Sequence, residues 1–196
     1  MMKKFTPSLF ALICVSIASK AQTQKDWYLI GSDLANIGLN FQKGNTAFSF
    51  LASTKVAWFV KDNLAVGAQV DLGLATNTAQ TTFIYGVGPL ARYYFQGNGL
   101  NSVSKTRWFG ELNVGISGQN TKVKGGSNIS TNGFGLGFGP GLAYFINQNI
   151  ALEALAKYNF TSGFGNSTNS NALNIGLGFQ IHLPKAKVKS LKNDVK

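Results

Sequence analysis

Six charged residues are the side chains best placed to do chemistry, because each lies in a stretch that alternates apolar and polar residues. They are three cations and three carboxylates: Lys55, Arg92, Lys157, Asp71, Glu111 and Glu153. Two of the carboxylates could serve as a general acid and a general base, and a row of charged side chains could conduct ions. Burying an unpaired charge is costly, however, so equal numbers of each sign favour a paired network. We therefore interpret the six as a lumen charge network that fills an interior.

Other reactive side chains are scarce. His182 is the sole histidine; a serine hydrolase would need it beside a nucleophile and an acid, but we interpret it as an incidental rim residue at the end of the last alternating stretch. Cys14 is the sole cysteine and lies in the N-terminal segment, so neither a disulfide framework nor a thiolate metal site is expected. The sequence therefore predicts no catalytic, cofactor-binding or metal-binding residue, and no enzyme activity.

The elements that must position the six charges are eight runs in which apolar residues alternate with polar residues or glycine. The runs cover residues 27–41, 46–60, 64–74, 83–95, 108–117, 133–146, 150–160 and 173–183. In run 133–146 the even positions are mostly large and apolar, whereas the odd positions are mostly glycine. Each run is long enough for a tilted membrane strand, which needs about 9–11 residues. The pattern predicts an all-β fold, an eight-stranded antiparallel up-and-down transmembrane β-barrel.

The two faces of these runs separate a membrane barrel from a soluble one. A lipocalin-like barrel would place its apolar residues inside, whereas here glycine, asparagine and the charges share one face, opposite leucine, isoleucine, valine and phenylalanine. Side chains just fill the interior of an eight-stranded barrel, which argues against an open pore. Aromatic residues at one end of the strands predict an interfacial girdle: Trp27, Trp58, Phe59, Tyr94, Phe95, Trp108, Phe109, Tyr144 and Phe145.

The first 21 residues have the features of a secretory signal. Two lysines precede an apolar stretch, Phe5–Ala18, and the small residues Ser19 and Ala21 occupy positions −3 and −1 of the cleavage site that we expect after Ala21. A lipoprotein signal ending at Cys14 is the alternative, disfavoured because a bulky residue precedes that cysteine. The predicted domains are a signal peptide (1–21), an outer-membrane β-barrel (22–183) and a basic C-terminal tail (184–196).

The formal net charge of +11 is distributed in a way that does not indicate nucleic acid. Many of the lysines lie in the predicted signal and in the tail, which we interpret as a solvated end. Neither a basic helix nor zinc-finger spacing is present, so we do not expect nucleic-acid binding.

Turn composition predicts which connections between strands are long. Residues 61–63 and 147–149 read as tight turns, whereas Gln119–Thr131 and Ser162–Ser170 read as longer loops rich in Gly, Ser, Thr and Asn. With the N-terminus in the periplasm, the tight turns fall on the periplasmic side and these loops fall outside. The link at 97–106 is the exception, because it is long on the periplasmic side.

Three stretches carry a resemblance to a known family: residues 56–67 (VAWFVKDNLAVG), 86–95 (GVGPLARYYF) and 139–153 (GPGLAYFINQNIALE). The chain resembles the small outer-membrane β-barrel proteins of Gram-negative bacteria, the porin-family or PorT-like barrels, which are similar to the eight-stranded barrels of OmpX and OmpA. The resemblance covers about residues 26–183. It implies a place in the bacterial outer membrane, with outer-membrane lipid, lipopolysaccharide and the barrel-assembly machinery as partners.

The last strand resembles the β-signal through which that machinery recognises its clients. Asn174, Gly176, Phe179 and Ile181 occupy its polar, glycine, aromatic and hydrophobic positions. Barrels of this type often end on an aromatic residue, whereas this chain continues through its basic tail.

These observations favour a non-enzymatic outer-membrane barrel that serves as an envelope scaffold or as a surface interaction or adhesion protein, with an extracellular partner bound through the external loops. One alternative is a narrow porin or transporter for small solutes. Another is a barrel component of a secretion system, which the PorT-like resemblance implies.

Overall fold

The computed structural model describes residues 23–42, 45–95, 105–164, 169–185 and 188, and it forms a closed barrel of eight antiparallel strands in chain order. The strands are β1 (Trp27–Gln42), β2 (Asn45–Lys61), β3 (Leu64–Thr76), β4 (Gln80–Tyr94), β5 (Thr106–Val123), β6 (Ile129–Phe145), β7 (Ile150–Gly163) and β8 (Asn169–Pro184). The predicted fold class is confirmed. No helix within these ranges is long and apolar enough to span a membrane. The predicted signal peptide and its cleavage site, and most of the tail, lie outside the described residues.

The alternation of side chains explains why these segments form a barrel wall. On β3, Ala65 and Gln69 point inward and are buried, whereas Val66, Val70 and Leu72 point outward and keep more than two-fifths of their surface exposed. The same division holds along β6, where the glycines line the inside and large apolar residues the outside. The outer wall is therefore apolar and the interior is polar or bare, as a lipid-embedded barrel requires.

The barrel has two ends with different connections. We call one end the terminal end, because it holds the start of β1 and the end of β8. The connections at 62–63, 95–105 and 146–149 also lie at this end. The far end holds the connections at 43–44, 77–79, 124–128 and 164–168. The terminal half and the far half of the lumen are named accordingly.

The long loop predicted at Gln119–Thr131 is wrong, because most of that stretch is strand, whereas the one predicted at Ser162–Ser170 lies partly outside the described residues. β5 continues to Val123 and β6 begins at Ile129, with Thr121 still paired to Ile129. Thr82 and Thr121 also join their hydroxyl groups across β4 and β5, 2.9 Å apart. Threonine is β-branched and favours extended backbone, so a polar sequence here lengthens the hairpin instead of interrupting it.

The barrel closes between β1 and β8 mainly in its terminal half. Their ladder runs from Trp27–Pro184 to Ala35–Gly176, where β1 has an irregularity between Ala35 and Gly38. β8 continues beyond this point alongside β7 as far as the pair formed by Asn169 and Ser162. The pairing of β1 with β8 is thus made by the terminal part of β1.

Candidate functional site

A cluster of buried charges crosses the terminal half of the lumen, and Glu111 is at its centre. The carboxylate of Glu111 accepts hydrogen bonds from Lys55 Nζ at 2.8 Å, from Arg92 Nη2 at 2.6 Å and from Lys157 Nζ at 2.8 Å. These donors come from β2, β4 and β7, so one β5 side chain links strands on several sides of the barrel. Three cations on one carboxylate leave its oxygens engaged.

Arg92 extends the cluster to a second carboxylate. Its Nη1 donates to both oxygens of Glu153 at 2.9 and 2.7 Å, while its Nε donates to Glu111 at 3.0 Å. The guanidinium carbon lies 4.1 Å from the centre of the Phe109 ring, which gives a cation–π contact. A planar fork with several donors suits this double role better than a lysine would.

Asp33 is an acid of this cluster that was not predicted from the sequence. It accepts a hydrogen bond from Lys55 Nζ and another from Gln180 Nε2 at 3.1 Å. Asp71, which was predicted for the network, instead accepts from Ser53 and Gln69, and reaches Lys157 only through Gln69. We define the charge cluster by these residues: Asp33, Lys55, Arg92, Glu111, Glu153 and Lys157.

The charge cluster has no net charge and is almost fully buried. It holds three cations and three carboxylates, and the side chains of Lys55, Arg92 and Glu111 have no exposed surface. Buried charges are tolerated when partners satisfy them, and removal of one partner leaves the others uncompensated. The arrangement therefore fills and cross-links the lumen.

An aromatic layer lies next to the charge cluster on its terminal side. Phe59, Tyr94, Phe109 and Phe145 are at most 3 % exposed, and Leu29 is buried with them. Tyr94 and Phe109 have ring centres 5.5 Å apart, and Phe59 and Tyr94 have theirs 5.9 Å apart. These rings close the lumen with hydrocarbon where the charges end.

The predicted girdle of nine aromatic residues is therefore wrong for four of its members. Most of the nine occur as adjacent pairs, and successive side chains on a strand point to opposite faces. One residue of each pair thus faces outward and the other inward: Trp58 and Phe59, Phe95 and Tyr94, Trp108 and Phe109, Tyr144 and Phe145. The adjacent aromatic pairs are themselves the sequence signal for an inner layer. A girdle on the outer face needs only one aromatic residue of each pair, so the other must face the lumen.

His182 belongs to this aromatic layer and is not the rim residue that was predicted. It is fully buried, with Nε2 3.2 Å from the Tyr94 hydroxyl and its ring centre 5.1 Å from that of Phe145. The turn between β6 and β7 covers it, because the His182 amide donates to Asn149 O at 2.6 Å and Asn149 Nδ2 donates to His182 O at 2.7 Å. Its Nδ1 has no hydrogen-bond partner among the described residues.

The segment before β1 covers the terminal end of the aromatic layer. The Thr23 hydroxyl donates to Asn63 Oδ1 at 2.6 Å, and Arg107 Nη1 donates to both residues at 2.7 and 3.1 Å. The amide of Asn63 donates to Thr23 O at 2.7 Å, and that of Asp26 donates to Phe59 O at 2.9 Å. Residues 23–26 are thus held across the barrel mouth.

The far half of the lumen is less completely filled. The inward residues Asp71, Ala75 and Thr82 are only half-buried, whereas buried polar atoms without a partner among the described residues occur in both halves: Asn113 Oδ1, Ser117 Oγ, Gln180 Oε1 and His182 Nδ1. Ser49, Ala75 and Thr82 line a cavity of about 230 Å³ at the far end. The lumen therefore changes from sealed to partly open along its axis.

The predicted β-signal residues lie along β8. Gly176 is buried on the inner face, Phe179 is half-exposed on the outer face, and Ile181 pairs with Ile30 of β1. Asn174 pairs with Lys157 of β7. Their role in assembly stays a prediction.

Within the described ranges, no three His, Cys, Asp or Glu side chains are grouped so as to hold a metal ion. Glu111 and Glu153 are both bound by Arg92 and are hidden from solvent. Such carboxylates hold the wall together and have no free face to present to a substrate.

Comparison with known proteins adds the family and the fold. A family model described as the outer membrane protein β-barrel domain matches residues 8–180. No curated protein matches the sequence.

Three solved structures are similar in fold. Neisserial surface protein A is 17% identical, with 80% of this chain and 97% of that chain covered and a TM-score of 0.58. The N-terminal β-barrel domain of Pseudomonas aeruginosa OprF is 14% identical, with 81% and 98% covered and a TM-score of 0.54. OprG, an outer membrane protein of Pseudomonas aeruginosa, is 13% identical, with 84% and 99% covered and a TM-score of 0.51.

Proposed function

We propose that this chain is a non-enzymatic and non-conducting barrel. The chain belongs to the outer membrane protein β-barrel domain family and lies in the bacterial outer membrane. It serves as an envelope scaffold or as a surface interaction protein, and its lumen is filled by its own side chains. The terminal end faces the periplasm and the far end faces the exterior.

The observation that carries this proposal is the double closure of the terminal half. A solute entering from the far end would have to displace the charge cluster, in which Glu111 alone is bound by three cations. It would then meet the aromatic layer, in which Phe59, Tyr94 and Phe109 have no exposed surface. An eight-stranded barrel is just wide enough for such filling, which supports a closed lumen.

The non-enzymatic part rests on the same side chains. A general acid or base must reach its substrate within hydrogen-bond distance. Glu111 and Glu153 are bound by the cations of the cluster, and His182 is enclosed by Phe59, Tyr94 and Phe145. These groups support the fold rather than a reaction.

The interaction surface that we propose is the hairpin of β5 and β6 at the far end. Asn120, Lys122 and Lys124 are exposed there, and Ile129 is 61% exposed. Because this hairpin is extended strand on both sides of a short turn, it offers a rigid edge to an extracellular partner. Replacing residues 122–128 by a tight Asn-Gly turn should abolish capture of that partner from intact envelopes, while detergent-extracted protein keeps its heat-modifiable migration.

Liposome swelling with solutes of graded size tests the closed lumen. Purified barrel, reconstituted in phospholipid vesicles, should give swelling no faster than empty vesicles for every solute. A general porin reconstituted in parallel serves as the positive control. Swelling that falls off with solute size would contradict the proposal and favour the narrow porin. The PorT-like role in secretion stays a prediction.

A further inference from the structure

The pairing between β1 and β8 stops in the middle of the barrel wall. Their ladder ends at Ala35 and Gly176, although both strands continue toward the far end. Each of the other ladders among the described strands reaches the far end. We call the region between residues 38–42 of β1 and residues 169–175 of β8 the seam. Along the seam each of these two strands is paired on one side only.

The backbone groups of β8 that point into the seam can be identified from the other side of the strand. The amide of His182 donates to Asn149 O, and the ladder of β7 and β8 continues from there without a register shift. Because the backbone groups of successive residues point to opposite edges of a strand, those of the even-numbered residues point to β7. The amides and carbonyls of the odd-numbered residues, which include Leu173 and Ile175, therefore point into the seam.

The seam lies within the apolar part of the wall. Leu173 pairs with Tyr158 of β7, whose ring packs against that of Phe138 on β6. Phe134 lies still nearer to the far end of β6 and also faces outward, so apolar residues extend beyond the level of Leu173. At this depth no water is present to satisfy a free strand edge, and open edges that face lipid do not occur. The backbone groups in the seam therefore require a partner.

Side-chain exposure distinguishes the same part of the wall. The large apolar residues beside the seam are 66–70% exposed: Ile37, Leu173, Ile175 and Leu177. The other large apolar residues of the described strands are at most 61% exposed. Leu173 and Ile175 have no paired strand on one side, which explains their greater exposure. The seam thus presents uncovered apolar side chains together with free backbone groups.

A second copy of this chain fits both edges of the seam. β1 and β8 are already antiparallel partners in the terminal half, from Trp27–Pro184 to Ala35–Gly176. A copy rotated by half a turn about the membrane normal places its β8 opposite this β1 and its β1 opposite this β8, antiparallel and at the same depth. A lipid chain offers no hydrogen bonds, and a single strand inserted from another protein would be parallel to one of the two edges, which is the weaker pairing.

We infer that the protein forms a homodimer in the outer membrane, in which β1 and β8 of one copy pair along the seam with β8 and β1 of the other. The pairing continues, between copies, the ladder that each chain forms within itself in its terminal half. Each barrel keeps its own charge cluster and aromatic layer, so the dimer does not depend on whether the lumen is closed or on what the far-end hairpin binds.

Cysteine cross-linking in native outer membranes tests this inference. Continuing the ladder past the irregularity in β1 sets Ile37 opposite Ile175. In the Cys14→Ser background, a tagged Ile37→Cys chain and an untagged Ile175→Cys chain are co-expressed and oxidised with copper phenanthroline. We expect a disulfide-linked dimer that contains one chain of each kind. Val70→Cys, on the exposed outer face of β3, is the matched control and should give no cross-link with Ile37→Cys.

A proline substitution tests whether backbone pairing holds the dimer. Leu173→Pro removes one amide that points into the seam and leaves the hydrogen bonds to β7 in place, so it should abolish the cross-link. Heat-modifiable migration establishes that the variant is folded. A dimer that persists in folded Leu173→Pro would overturn the inference. So would a chain carrying both Ile37→Cys and Ile175→Cys that cross-links only within itself, because the seam would then close in the monomer.

Discussion

The terminal and far halves of the lumen are built from the same eight strands but are filled in opposite ways. In the terminal half, six charges and an aromatic layer are buried and mutually bonded. In the far half, the inward side chains of Asp71, Ala75 and Thr82 are only half-buried, and Ala75 and Thr82 line a cavity.

The difference shows where the barrel's stability and closure come from. In the terminal half the residues of the charge cluster are bonded to one another, because Glu111 binds three cations and Arg92 binds two carboxylates. A substitution in the charge cluster should therefore weaken contacts between several strands. Substitutions at matched positions in the far half should remain local, and the following pairs test that contrast.

The largest effect is expected at Glu111. Glu111→Gln leaves Lys55, Arg92 and Lys157 without the carboxylate they share, and should lower the free energy of unfolding by about 3–5 kcal/mol. Ser117→Ala, on the same face of β5 in the far half, removes a hydroxyl that has no partner among the described residues and should change it by less than about 1 kcal/mol. Urea unfolding in vesicles, followed by tryptophan fluorescence, measures both. Equal losses would remove the distinction between the halves.

A smaller contrast is expected between two aspartates. Asp33→Asn loses the charge that pairs with Lys55 and should cost about 1.5–3 kcal/mol, the range for a hydrogen bond to a charged group. Asp71→Asn keeps an amide oxygen for Ser53 and Gln69, so its cost should stay near or below about 1 kcal/mol. Thermal unfolding on heat-modifiable gels ranks the two. The reverse ranking would mean that Asp71, rather than Asp33, completes the network.

The smallest contrast concerns two tyrosine hydroxyls. Tyr94 Oη contacts Arg92 at 3.1 Å, Glu153 at 3.3 Å and His182 at 3.2 Å, all buried. Tyr94→Phe should cost about 1–2 kcal/mol because it leaves these groups less satisfied. Tyr85→Phe, whose hydroxyl bonds Asn132 at an exposed site, should cost less than about 0.5 kcal/mol. Refolding yields into vesicles at a series of urea concentrations would measure the loss of stability in both variants. A Tyr94→Phe variant as stable as the wild type would show that the aromatic layer does not need this hydroxyl.

The number, order and facing of the strands could be predicted from the sequence, because alternation depends only on where successive side chains point. Five charges of the cluster followed from the same argument. Asp33 did not, because the irregularity between Ala35 and Gly38 interrupts the alternation in β1. It is nevertheless the only charged residue of that strand, and a charge on a membrane strand is expected to face inward.

Two features depend on packing that composition does not reveal. The aromatic doublets contribute to both faces, so their position at strand ends did not distinguish a girdle from an inner layer. The polar stretch at 119–131 continues as paired strand, as shown by Thr121 opposite Ile129, because the backbone hydrogen bonds that pair two strands do not require apolar side chains. Burial of His182 was also hidden, since the turn that covers it comes from β6 and β7, far away in sequence.

The seal of the terminal half can be tested most directly by thiol accessibility in the folded barrel. A Cys14→Ser background carries no other cysteine, and Ala75→Cys and Ala143→Cys place one thiol on the inner face of each half. Ala75 is half-buried beside the far-end cavity, whereas Ala143 has no exposed surface within the aromatic layer. A membrane-impermeant methanethiosulfonate should label Ala75→Cys in folded protein and label Ala143→Cys only after unfolding. Labelling of both at similar rates in the folded barrel would contradict a lumen that is sealed in its terminal half.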